Sequence, residues 1–413
     1  MQLQLLPYDV LRDILSRLSI KDVVRISTLS GEWRQQRICH PDLVFTKDTF
    51  GISTDTNTDP DLVTKDYYGI IKDMNTKRAS WAAKFIANVD SVLRPLCSTP
   101  TTMTLDKFVV KFGLRIRHKY HIDRWVRFSI ALRAKHIAFD FTVDVTCYGA
   151  TYDKYKYIFP LCNLSGTNGS CVTSLDLGYV WLKLPLSFSG ITNLRNLRLK
   201  ANFVSNLRVL DGYDDVLDYI FTELPTALPH VHTLLLLLTV NQVERFSNTH
   251  DCFMTLRHLN MNLDIFLGPY DDSWVMGFVN LLELAPLLEE LELHMDHDRF
   301  CSENPRTVLA TQGPPHRHLK SVYMSGFCDV LGLAELALYI LRNATVLQRM
   351  VVDPVAGMMD NALIERFCSV SNGDSSEDIV FPTDGTRKYV SKKRMFAKNN
   401  LDKEEFCRVL TIL

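Results

Sequence analysis

The densest group of metal-ligating residue types in the chain is "HMDHD", which holds His294, Asp296, His297 and Asp298. Two imidazoles and two carboxylates are donor types for a divalent cation, but a zinc site needs its ligands to converge on one point. At the end of a strand, positions i and i+3 do not converge, because alternation sends them to opposite faces. No Cys or His partner stands at a matching spacing, so the segment reads as a solvated loop. His316 and His318, beside Pro314-Pro315, read the same way. The ten cysteines are scattered without a CxxC pair and read as reduced, mostly buried thiols. There is no GxxxxGK[ST] loop, no HExxH and no GxSxG elbow. The sequence therefore assigns no catalytic residue, no metal and no cofactor.

A second group with chemical potential is basic. Residues 107–136 hold nine Lys/Arg against one acid, Asp123, a composition that suits phosphate or nucleic acid. The aromatics among them (Phe108, Phe112, Trp125, Phe128) recur at helix or strand spacing, which favours core over stacking platforms. A solvated basic face is the plainer reading. With a net charge of −1 over 413 residues, there is no global attraction for nucleic acid or an anionic membrane. No apolar run approaches the ~18 residues of a membrane helix. The expectation is a protein of the cytoplasm, the nucleus or both, without a secretory leader; the basic "RKYVSKKR" (387–394) is a weak nuclear-localisation signal, and the sequons at Asn163, Asn168 and Asn343 read as accidental.

The elements that would position any site begin at the N-terminus. In "LPYDVLRDILSRLSIKDVVRISTLSGEWR", Pro7 suits a first helical turn. Val10, Leu11, Ile14, Leu15 and Leu18 then form one helical stripe. Asp22 can cap a second helix carrying Val23 and Val24, and Trp33 falls in a third short element. So small a unit buries little surface alone and leans on a neighbour. The string resembles the F-box motif at Leu6, Pro7, Val10, Leu11, Ile14, Leu15, Leu18, Asp22, Val23, Val24, Ser27, Ser30, Trp33 and Arg34. "PDLVF" (41–45) looks like the segment that follows plant F-boxes. One departure is Gly31-Glu32, where plant members carry two basic residues. The resemblance implies docking on a Skp-type adaptor, and through it a cullin scaffold, with Leu6, Pro7, Val10, Leu11, Ile14, Leu15, Leu18, Val23, Val24 and Trp33 as the adaptor contacts.

Downstream, a pattern L-x-x-L-x-L with apolar substitutes recurs: "VTSLDL" (172–177), "LRNLRL" (194–199), "LRHLNM" (256–261), "LEELEL" (288–293), "LKSVYM" (319–324) and "LQRMVV" (347–352). "AKHIAF" (134–139) and "VHTLLL" (231–236) fit less cleanly. This is the leucine-rich-repeat signature of a short strand with a returning helix or turn. Helical stretches lie between, as at Trp274, Val275, Phe278, Leu281, Leu282 and Ala285, ended by Pro286. The fold class expected is α/β: a three-helix F-box followed by an irregular solenoid of short parallel strands. The expected boundaries are F-box 1–45, polar linker 46–80, repeat array 81–370, and a polar tail 371–413 with a last helix carrying Phe406, Val409 and Leu410. The order of pieces resembles plant F-box proteins with leucine-rich repeats and an FBD-like region, about 310–413.

In the template, alternation turns the intervening residues onto the concave face. Those proposed to meet a target are Asp176, Arg198, Leu235, Leu237, Asn260, Glu292 and Tyr323. Leu235 and Leu237 make both faces of "TLLLLLT" apolar, which marks either a binding spot or a surface covered by "GYDDVLDYIF" (212–221). The resemblance implies a non-catalytic substrate receptor of a Skp-cullin-F-box ubiquitin ligase, its repeat array holding a target protein. The alternative is a receptor whose repeat domain binds a signalling small molecule together with the target, and the basic 107–136 stretch is its only sequence support.

Overall fold

The computed structural model describes residues 40–53, 67–96, 104–142, 156–182, 188, 190–201, 216–240, 252–265, 273–297, 313–327, 333–354 and 394–413, with Val10, Asp13, Arg17, Leu18 and Asp22. They fall into two compact units, residues 1–143 with 155–187, and residues 144–154 with 188–413.

In the first unit, four short strands lie parallel in the order β1 (Asp42–Thr46), β2 (Lys107–Lys111), β3 (His136–Asp140) and β5 (Ser174–Gly178). A second pair, β4 (Tyr157–Phe159) and β6 (Val180–Leu182), is also parallel. Helices α1 (Tyr67–Leu96) and α2 (Lys119–Ala131) make two of the crossovers that parallel strands require. α1 buries Ala82, Phe85, Ile86, Val89, Val92 and Leu93, the 3.6-residue stripe of a helix with one face in the core. An aromatic chain knits the core. Phe85 stacks on Phe112 at 4.3 Å and meets Trp125 edge-on at 6.4 Å, while Phe108 packs on Phe45 and Phe139 at 5.9 and 5.8 Å.

Two sequence expectations differ from the structure in this unit. The polar linker does not extend to residue 80, because residues 67–80 are already in α1. The repeats do not begin at 81: β1 and β2 are strands of the same sheet, with "HPDLVF" (40–45) and "LDKFVV" (105–110) as disguised templates. Phe, Val and His stand there where leucine was sought. The N-terminal part of the unit is tied to the sheet through His40, which is buried. Its Nδ1 accepts the Asp42 N–H at 3.0 Å, which leaves Nε2 to donate to the Leu18 carbonyl at 3.1 Å.

In the second unit, seven parallel strands follow in chain order: β7 (Asn196–Ala201), β8 (Thr233–Val240), β9 (His258–Ile265), β10 (Glu290–His297), β11 (Ser321–Ser325), β12 (Arg349–Asp353) and β13 (Leu410–Ile412). Helices α3 (Val216–Ala227), α4 (Ser273–Leu284) and α5 (Leu333–Asn343) precede β8, β10 and β12. Phe278, Leu281, Leu282 and Ala285, expected on one helical face, are all buried, as are Leu336 and Ile340 of α5. Successive repeats share one backbone device. The carbonyl of the template's second residue accepts two N–H groups from the next repeat: Arg195 from His232 and Thr233, His232 from Arg257 and His258, Arg257 from Glu289 and Glu290, Glu289 from Lys320 and Ser321. At these four junctions the bifurcation sets equivalent template residues side by side, as in Asn196, Thr233, His258, Glu290 and Ser321, and stacking buries a core no single repeat could make.

The tail differs from its expectation as well. Its helical residues are 394–401, and Phe406 closes a 3₁₀ turn (Glu404–Phe406). Leu410 opens strand β13, which extends the sheet by pairing with β12. The "CRVLTI" (407–412) template carries Cys at its first position, which hid it.

Candidate functional site

In β8 to β10 the strand alternation separates two faces. Leu234, Leu236 and Leu238 are 0%, 0% and 1% exposed, while Leu235 and Leu237 between them are only half-buried. Likewise Leu259, Met261 and Leu263 are buried beneath Asn260 and Asn262, and Leu291, Leu293 and Met295 beneath Glu290 and Glu292. The open face is therefore a set of transverse rows. One register row reads Arg198, Leu235, Asn260, Glu292, Tyr323, so five of the seven proposed target contacts stand side by side. The next row reads Lys200, Leu237, Asn262, His294 and Ser325, of which Ser325 is buried.

Hydrogen bonds join these rows into a ladder. Asn262 Nδ2 donates to Asn260 Oδ1 at 2.7 Å, and Asn260 Nδ2 donates to the Glu292 carboxylate. His294 lies between Glu292 (Nε2 to Oε2, 3.5 Å) and Ser325 (Nδ1 to Oγ, 2.8 Å), with its ring 5.5 Å from that of Tyr323. The Tyr323 hydroxyl donates to Asp353 at 3.0 Å. Burial first, and that bond second, hold the hydroxyl above the usual phenol range. Asn262, His294, Ser325 and Asp353 lie beyond the six-residue template. Carrying the alternation past the template, along eight-residue strands such as β9 and β10, finds most of them.

Asp176 does not belong to this surface. It is 5% exposed, in a row with Val109 and Ala138, which are buried too. In this unit the face expected to be open is covered, and alternation alone reveals the face of a residue but not what lies over it. The segment "GYDDVLDYIF" does not turn Leu235 and Leu237 into core: its residues 216–221 begin α3 and bury Ile220, while residues 212–215 lie outside the described residues. His316 is a further correction. It is buried rather than solvated, sits 3.3 Å from the Tyr339 hydroxyl, and burial lowers its pKa. Asn343 is buried as well; its side chain caps α5 by donating to the Tyr339 carbonyl and accepting the Gly313 N–H, so this sequon is a structural residue.

In the basic 107–136 stretch, Lys111, Arg117, Arg127 and Arg133 are exposed, and four of the other cations pair with acids. Lys107 pairs with Asp42 at 3.4 Å, Lys135 with Asp106 at 2.8 Å, Lys119 with Asp123, and Arg124 with Asp90. Arg115 donates to the Leu114 and Phe141 carbonyls and lies 4.4 Å over the Tyr179 ring. Phe108 and Trp125 are fully buried. Among the described residues, no three His, Cys, Asp or Glu side chains form a metal-binding group, and no helix is long and apolar enough to cross a membrane.

Of the adaptor contacts, Leu6, Pro7, Leu11, Ile14, Leu15, Val23, Val24 and Trp33 lie outside the described residues. Val10 is helical and 44% exposed, one turn from the Asp13–Arg17 ion pair at 3.0 Å.

Short parallel strands begun by one repeated template, with returning helices, define an α/β leucine-rich-repeat protein. Residues 202–379 match the family described as "At1g61320/AtMIF1, LRR domain", and residues 3–36 match the F-box domain. The two matches, in this order along the chain, are consistent with an F-box protein carrying leucine-rich repeats of the type that the first description names. No curated protein matches it. An F-box joined to leucine-rich repeats supports a substrate-recognition role in Skp-cullin-F-box ligases in general, and the F-box supports binding of a Skp-type adaptor.

Proposed function

We propose that this chain is the non-catalytic target receptor of a Skp-cullin-F-box ubiquitin ligase, with residues 3–36 docking the adaptor and the open face of β8–β12 holding a target protein. The observation that carries the reading is the pairing of an F-box with a sheet whose open face keeps Leu235, Leu237, Asn260, Glu292 and Tyr323 accessible in two adjacent rows. Ubiquitin transfer then owes its rate to proximity: the receptor raises the target's effective concentration at the charged enzyme and contributes no reacting group. Burying each apolar F-box anchor in the adaptor contributes about 1.5–3 kcal/mol, so a few of them set the affinity. The small-molecule reading rests on the basic stretch alone, and four of its nine cations, Lys107, Lys119, Arg124 and Lys135, are paired with acids.

The experiment is target capture with a chain lacking residues 1–36, followed by ubiquitylation of the captured protein by the reconstituted ligase carrying the full chain. Ubiquitylation that needs both the F-box and the β8–β12 face supports the reading. Equal modification with the F-box deleted, or with Leu235 and Leu237 changed to Asp, refutes it.

A further inference from the structure

The target surface has a definite charge character. From β8 to β10 each strand presents three open-face positions with described side chains, and β11 presents two, Ser325 being buried; these include Glu290 and Glu292 but no Lys or Arg. Both carboxylates are about half-exposed, at 55% and 48%. Their partners are His258 for Glu290, and Asn260 and His294 for Glu292, none of which has the permanent charge of a lysine or arginine. The nearest cations at the start of these strands, Arg257 and Lys320, are both committed to Glu289 and hold its carboxyl below the usual range. Among the described residues, cations return at the borders, with Arg198 and Lys200 on β7, beside Leu235 and Leu237, and Arg349 on β12.

Beside this acidic strip lies the one apolar spot, Leu235 and Leu237, two strands away from Glu292. Strands are ~4.8 Å apart, so the separation is ~10 Å, and an extended chain advances ~3.3 Å per residue. Resting on the target-receptor reading of this face, we propose that the target is recognised through an extended segment that seats an apolar side chain on Leu235/Leu237 and a Lys or Arg, two to four residues away, against Glu292 and Glu290. Alternation along the segment puts positions n, n+2 and n+4 on the side facing the sheet, and the flexible stem of Lys or Arg spans the remaining distance. Charge complementarity of this kind selects partners by penalising an acid at the same position.

The test is selection of a displayed library of ten-residue peptides on the full chain bound to its adaptor, with the Glu290→Lys/Glu292→Lys variant in parallel. Circular dichroism melting curves of both proteins confirm equal folding, which the exposure of both glutamates permits. The proposal expects wild-type selection to enrich Lys or Arg two to four residues from Leu, Ile or Phe by tenfold or more. It expects the variant to reverse the preference toward Asp or Glu. Enrichment without a cation, the same preference in both proteins, or no enrichment above a Leu235→Asp/Leu237→Asp control overturns it. Adaptor co-purification in the same preparations reads the receptor assignment separately: its loss with the peptide preference intact sinks that assignment and leaves the recognition rule standing.

Discussion

Replacing Asp90 by alanine tests whether α1 is an integral part of the first unit. Asp90 sits on α1 with its side chain 15% exposed, and it gathers three donors from α2: Trp125 Nε1 at 2.9 Å, His121 Nδ1 at 3.0 Å, and Arg124. Trp125 is fully buried, so removing its acceptor strands an indole N–H at a cost of about 1–3 kcal/mol. The Arg124 and His121 side chains are 43% and 34% exposed, so each ion pair adds only ~0–1 kcal/mol after solvent screening. The sum expected for Asp90→Ala is about 2–3 kcal/mol. Asp90→Asn keeps an oxygen acceptor for the indole and loses only the charge, so it should cost about 1 kcal/mol or less. With a urea slope of about 2 kcal/mol/M, the alanine variant moves the unfolding midpoint down by about 1 M and the asparagine variant by less than half of that. Tryptophan fluorescence of the full chain reports the transition, because Trp125 is itself in the contact. Equal midpoints for the two variants, or an alanine effect below about 0.5 kcal/mol, would refute the assignment of the energy to the buried indole bond.

Other expectations follow from single positions. Burial first, then the neighbouring charges of Arg117, His121 and Arg115, lower the His118 pKa from 6.5 to about 4. The unfolded chain therefore takes up this proton first, so stability present above pH 6.5 falls as pH drops toward 4 and levels off below; an NMR titration of His118 with a midpoint near 6.5 contradicts this. Gly326 has φ +73°, and a Cβ there meets the Met295 backbone carbonyl, so Gly326→Ala should cost about 2 kcal/mol or more, read as a lower melting temperature. Tyr323→Phe removes the donor to Asp353 but keeps the ring against His294; it should leave the fold intact, with stability lowered by about 1 kcal/mol in urea titration.

The strands were legible wherever leucine filled the template. "LEELEL" and "LRHLNM" announce β10 and β9, because apolar alternation in a six-residue frame has one economical solution. β1, β2 and β13 were hidden, since His40, Phe108 and Cys407 occupy template positions in another chemistry. α1 was only partly legible: the polar run before it reads as a loop, and among its described side chains from residue 75 on the first buried one is Ala82. The basic stretch was legible as an exposed face, its Lys107, Lys119 and Lys135 side chains being 55%, 57% and 59% exposed, but its ion pairs were not. Its counter-ions Asp42, Asp90 and Asp106 are brought in from other elements, which local spacing does not encode. Asp176 and His316 failed alike: periodicity shows which way a side chain points, while its cover comes from elsewhere in the chain.

The central claim is that one chain joins an adaptor to a target through two separable surfaces. The most direct measurement is titration of the purified full chain with a Skp-type adaptor by isothermal calorimetry, for wild type, Leu6→Ala/Pro7→Ala and Leu235→Asp/Leu237→Asp. The account predicts one-to-one binding by wild type and by the Leu235/Leu237 variant with the same affinity, and at least a hundredfold loss for the Leu6/Pro7 variant with its melting curve unchanged. Adaptor affinity that survives the Leu6/Pro7 change, or falls with the Leu235/Leu237 change, contradicts it.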